Sequence, residues 1–161
     1  NGKGVPMNKP GKMAMYGSVA LFLLSCFMPC LFIARPEGPV SWNGFEILLL
    51  NGWMAILAVI SVAWLANPLY FFAGVCVLNS QKGGSSLSSG LGIIVSLAAV
   101  LVGGTSFWVK GVPIPKNEGG GTQGLVDHFG VGFYVWMASL LLMFLAAVLT
   151  YNQNRTAEKA L

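Results

Sequence analysis

Charge is what this sequence has least of. Only 9% of its 161 residues are Asp, Glu, Lys or Arg, where a soluble domain carries about 25%. That deficit excludes an ordinary water-soluble globule. Histidine is almost missing: His128 stands alone. A zinc centre takes three or four ligands, commonly several of them His or Cys, so the donor set is thin. Cysteine is scarce and odd in number, and Cys26, Cys30 and Cys76 all lie inside apolar runs. That pattern does not read as a disulfide framework. A free Cys in such a run behaves as a small hydrophobe.

Other absences narrow the function. No Asp, Glu, Lys, Arg or His falls in the middle of any long apolar run. Proton relays and ion-coupled carriers nearly always place one at membrane depth, so pump and carrier readings lose weight. Gly119-Gly120-Gly121 lacks the Lys-Ser/Thr that would make it a phosphate loop. The Ser-rich turn at 85–89 has no paired Lys or His arranged to activate a nucleophile. The formal charge of +4 comes from cations scattered at segment ends, not from a basic stripe with interleaved aromatics, so nucleic acid is not an expected partner.

What the chain does have is apolar length. Hydrophobic residues make up 55% of it, and uncharged runs long enough to cross a bilayer recur. The central stretch, residues 44–79, decides the topology. As one straight helix it would reach about 54 Å, too long for a hydrocarbon core of about 30 Å. It is awkward for two crossings, because Asn67-Pro68 leaves only a short piece behind it.

The expected fold is therefore an all-α integral membrane protein with four transmembrane helices in a bundle. The spans fall at about 13–33, 56–78, 87–109 and 129–150. An interfacial or re-entrant segment at about 45–55, carrying Glu46, precedes the second span. Pro68 is expected to kink that span near Ala63–Trp64, with Asn67 re-satisfying freed carbonyls. Residues 110–128 form an irregular outer loop. Residues 1–12 and 152–161 are polar ends. The first span begins like a secretory signal, but its apolar run continues past Cys26 to Ile33, a full crossing length.

An even number of crossings, four, puts both ends on one side. Of the nine cations, that side holds six, Lys3, Lys9, Lys12, Lys82, Arg155 and Lys159. The other side holds Arg35, Lys110 and Lys116. The asymmetry predicts cytoplasmic termini in a cell inner membrane. Two full crossings within 44–79 are the alternative, which would send the C-terminus outside.

Candidate sites follow from residue type and spacing. Asp127-His128, with Glu118 and Glu46, could form an outward acid/base or metal site. The plainer reading is that Asp127 caps the last helix. Cys26 and Cys30 fall one helical turn apart, a spacing that Cu(I) accepts, but Pro29 bends that turn and no polar second shell is evident, so ordinary apolar packing is the expected reading and no cofactor is expected. Asn51 and Asn67 are amides near bilayer depth, suited to hydrogen bonds between helices. Ser85, Ser89, Gly92, Ser96, Ala99, Gly103 and Ser106 recur in steps of four and three along the third span. Small residues at that spacing let helices approach closely, with Gly92, Ser96, Ala99 and Gly103 at the centre.

The leading functional expectation is a non-catalytic multi-pass membrane protein that packs against other membrane-protein subunits or a copy of itself. It would serve as an accessory, assembly or scaffold subunit of a bacterial inner-membrane complex. One alternative is a pore or transport component lined by Asn51, Asn67 and the small polar face of the third span. Another is a membrane enzyme or metal site around His128.

Overall fold

The structure is a computed structural model that describes residues 9–36, 38–54, 62–82, 86–110, 113–114 and 124–159. The chain is mostly helical. In order it forms α1 (Lys9–Phe27), strands β1 (Pro29–Ala34) and β2 (Val40–Asn43), α2 (Gly44–Met54), α3 (Ala66–Gln81), α4 (Ser86–Gly104), strands β3 (Pro113–Ile114) and β4 (Gly124–Phe129), and α5 (Val131–Lys159). Short 3-10 turns at Ala63–Leu65 and Thr105–Val109 lead into α3 and out of α4. Among the described residues three helical stretches are long and apolar enough to cross a membrane: Lys9–Phe27, Leu87–Trp108 and Val131–Lys159.

α1 runs antiparallel to α5, with Ser18 beside Ser139 and Cys30 beside Gly130. α4 runs back along both α3 and α5: Gly92 lies against Cys76 and Ala147, and Gly103 against Leu140. The four long helices thus alternate in direction. Lys9 and Lys159 lie toward one end, and the sheet covers the other.

The sheet corrects the all-α expectation. Its four strands pair antiparallel in the order β2-β1-β4-β3. The apolar run expected to span 13–33 breaks at Phe27, and its remainder is β1. Pro29 explains the break. It has no N–H to donate and its ring clashes with the preceding turn, whereas the first residue of a strand tolerates it. Irregularities in register between Pro29 and Leu31, and between Phe32 and Ile33, bend the strand. Cys30, Leu31 and Ile33 are all buried. Leu31, Ile33 and Val126 form a small core with Trp42, Ile47 and Phe129 against them. Gly38 turns the chain from β1 to β2 at φ 125°, a conformation open to glycine and rarely to other residues. The stretch 110–128, expected to be an irregular loop, likewise contains β3 and most of β4.

The described part of α2 has 11 residues, about 16 Å, and residues 55–61 beyond it lie outside the described residues. Its start is a reciprocal cap. Glu46 N–H donates to Asn43 Oδ1 at 2.9 Å, and Asn43 N–H donates to Glu46 Oε2 at 2.8 Å. Glu46 Oε2 is thereby engaged at the start of its own helix.

Pro68 lies in the first turn of α3, where its missing N–H costs little. The 3-10 turn at Ala63–Leu65 runs straight into α3, with Val62 and Leu65 also in right-handed helical conformation. This irregularity falls at the expected position of the kink, near Ala63–Trp64. Residues 55–61 lie outside the described residues, so the start expected at Ile56 does too.

The main core lies between the long helices around Phe22, Tyr70, Val77, Leu140 and Met143. Polar side chains buried there bond to one another or to the backbone. Ser18 Oγ donates to the Ser139 carbonyl at 2.7 Å. A hydroxyl has one proton, so Tyr70 O–H is the donor of the 2.9 Å bond to Ser18. At the end of the bundle away from the sheet, Asn154 Nδ2 donates to Ser89 Oγ at 2.8 Å.

Candidate functional site

A partly enclosed cavity of about 100 Å³ lies where the helices meet the sheet. Several chain reversals place its walls. α1 ends under it at Phe22, Ser25 and Cys26; β1 supplies Cys30 and Leu31. Ile47 and Leu48 come from α2, and Ala63 and Trp64 from the 3-10 turn. Asn67 begins α3, Ser106 follows α4, and Phe133 and Trp136 open α5.

One close approach holds the walls together. Gly130 N–H donates to the Cys30 carbonyl at 2.9 Å, and a Cβ at Gly130 would collide with the Pro29 carbonyl oxygen. Aromatic rings brace the same corner. Phe129 stacks on Phe133 with centroids 4.3 Å apart, and Phe107 meets both edge-on.

The cavity's polar groups are largely committed. Trp136 Nε1 donates to Asn67 Oδ1 at 3.0 Å, and Trp64 Nε1 to the Leu48 carbonyl at 3.0 Å. Ser25 O–H donates to the Phe22 carbonyl at 2.7 Å. The Cys30 thiol faces the carbonyls of Ser25 and Met28, both at 3.6 Å. Burial pushes this thiol up to about 12, and the neighbouring Cys26 adds to the effect. A thiol held protonated is a poor nucleophile and a poor metal ligand.

The sequence candidates are distributed as follows. Cys26 and Cys30 both line the cavity, but the helix stops between them, so they do not form one helical face. Both are free and buried. Asp127 and His128 lie in β4, not at a helix start. His128 Nδ1 and Asp127 Oδ2 are 3.0 Å apart on the surface, with side chains 57% and 62% exposed. The imidazole stacks on Phe32 with centroids 4.4 Å apart. Glu118 lies outside the described residues. No group of three or more His, Cys, Asp or Glu is placed to hold a metal among the described residues.

Asn67 is buried, and its Oδ1 accepts from Trp136 Nε1. Asn51 falls in α2, and its side chain is outside the described residues. Ser96 and Ala99 are buried in α4. A Cβ on Gly92 would lie 3.4 Å from Cys76 Cβ, and one on Gly103 would lie 2.7 Å from Leu140 Cδ1. The outer face of the same helix exposes Leu91, Ile94, Leu97 and Leu101.

Sequence reasoning missed the cavity and its aromatic wall. Trp64, Phe133 and Trp136 have no shared spacing, and they meet only when α3 and α5 come together. Comparison with known protein families, curated proteins and solved structures finds no match for this chain.

Proposed function

We propose that the chain is an integral membrane protein of four spanning helices that acts by packing against other membrane proteins. The spans are α1, the helix ending in α3, α4 and α5, with α2 at the interface or dipping beside the bundle. Its role is that of a non-catalytic accessory, assembly or scaffold subunit of a bacterial inner-membrane complex. The bacterial assignment rests on compactness and short loops. Both termini are cytoplasmic on the charge asymmetry of the sequence.

The supporting observation is how the polar groups at helix depth are used. Tyr70, Ser18 and the Ser139 carbonyl form one chain, and Asn67 and Trp136 form a pair. Such bonds fix helices against each other. A conducting path needs polar groups left facing water. The pore reading has less behind it, because Asn67 is engaged and the small face of α4 is filled by α3 and α5. The surface left for a partner is the apolar outer face, including Leu23, Leu24, Ile94 and Leu101.

Purification from native membranes in mild detergent tests the proposal. The expected result is a stoichiometric membrane-protein partner or a defined homo-oligomer. A lone monomer that passes ions in liposomes would overturn it in favour of the pore.

A further inference from the structure

The cavity under the sheet has the chemistry of a hydrocarbon site. Among the described residues no acidic, basic or histidine side chain lines it. Ordered water needs two to four polar partners, and here the indole N–H groups of Trp64 and Trp136 and the Ser25 hydroxyl already donate within the protein. What faces the space is mainly aromatic ring, aliphatic side chain and thiol.

Size and setting narrow the occupant. The volume, about 100 Å³, is smaller than the roughly 150 Å³ of a dry cavity that takes up benzene. It suits a few carbons and not a whole amphiphile. The cavity is partly enclosed, so a longer molecule can leave one end inside. Two of the elements forming its wall also expose apolar side chains, Phe45 and Leu49 on α2, and Val62 and Leu65 at the 3-10 turn. The remainder of a chain can lie on that surface.

We infer that the cavity bounded by Cys30, Ile47, Ala63, Trp64 and Trp136 receives the terminal methyl segment of an acyl chain. The chain belongs to a bilayer lipid or a free fatty acid, whose head group lies outside. This site stands on its own walls and does not rest on the proposed scaffold role.

Tryptophan quenching in the delipidated full-length chain tests it. A long-chain fatty acid brominated at its terminal carbon should quench fluorescence saturably, because bromine would contact Trp64 and Trp136. The same acid brominated beside the carboxylate should quench far less. Ala63→Leu and Ile47→Phe fill the space from two walls. Each should raise the half-saturating concentration at least tenfold, as the loss of about two buried methylenes implies. Leu97→Phe, on the outer face of α4, should leave it unchanged. Melting curves confirm that each variant folds.

A phospholipid with terminally brominated chains separates the sources. Saturation by it alone assigns a bilayer lipid, and saturation by the acid alone assigns a free fatty acid. Quenching that never saturates, that is indifferent to the position of bromine, or that survives both filling variants would overturn the inference. Saturable quenching by bromobenzene but by neither chain would overturn it in favour of a compact aromatic ligand.

Discussion

Cys30 illustrates how one residue's chemistry follows from its neighbours. Its thiol faces two backbone carbonyls, and burial, then Cys26, holds it up to about 12. An unfolded thiol titrates near 8.5. The folded state therefore binds the proton more tightly, and the stabilisation is complete below the unfolded value. It is lost as pH rises from there through about 12. Maleimide at pH 8 should leave Cys30 unmodified until the protein is unfolded, as peptide mass spectrometry would report. The melting temperature should fall between pH 9 and 11, and Cys30→Ala should flatten that slope. Ser18 is a second case. It accepts from Tyr70 and donates to Ser139, so Ser18→Ala removes two bonds and orphans a buried phenol. The expected loss is about 1 kcal/mol, near the upper part of the range for hydrogen bonds between membrane helices. Detergent unfolding curves of the two proteins check it.

At the scale of elements, caps and close approaches decide where structure starts and how tightly it packs. The reciprocal bonds of Asn43 and Glu46 satisfy two donors at the start of α2. Asn43→Ala should cost about 0.5–2 kcal/mol and speed hydrogen exchange in the first turn of α2 while leaving α5 protected. In α4, Gly103 leaves no room beside Leu140 and Trp136, whereas Leu101 is 65% exposed. Gly103→Leu should destabilise the protein by roughly 1–3 kcal/mol through overpacking. Leu101→Ala should cost less, and thermal stability in detergent distinguishes the two. The steps of four and three made this stripe of small residues legible in sequence. That it meets α3 and α5 was not legible, because small residues suit a helix of another chain equally well. The strands were hidden for a different reason. Cys30 to Ile33 continues an apolar run, and a short apolar run looks alike in a helix and in a buried strand.

For the whole molecule, the alternation of helix directions puts Lys9 and Lys159 toward one end and the sheet at the other. With four crossings and the cationic end in the cytoplasm, a phosphatase reporter fused after Leu161 should be inactive. One inserted between Gly119 and Gly120 should be active. The reverse pattern, or opposite sides for the two, would reject this topology.

Composition by itself determined that helices of this chain are long and apolar enough for a membrane. The cost of moving a segment from water to hydrocarbon accumulates residue by residue, so the nearly uncharged stretches Leu87–Trp108 and Val131–Lys159 carry that property wherever they pack. The tertiary structure alone decided the rest. β1 becomes a strand because Leu31 and Phe32 find Phe129 and His128 from the far end of the chain. Pro29 forbids the helix but does not name the partner. The cavity follows from that same pairing. A hydrogen-bonded strand exists only with its neighbour, and no local pattern specifies which neighbour arrives.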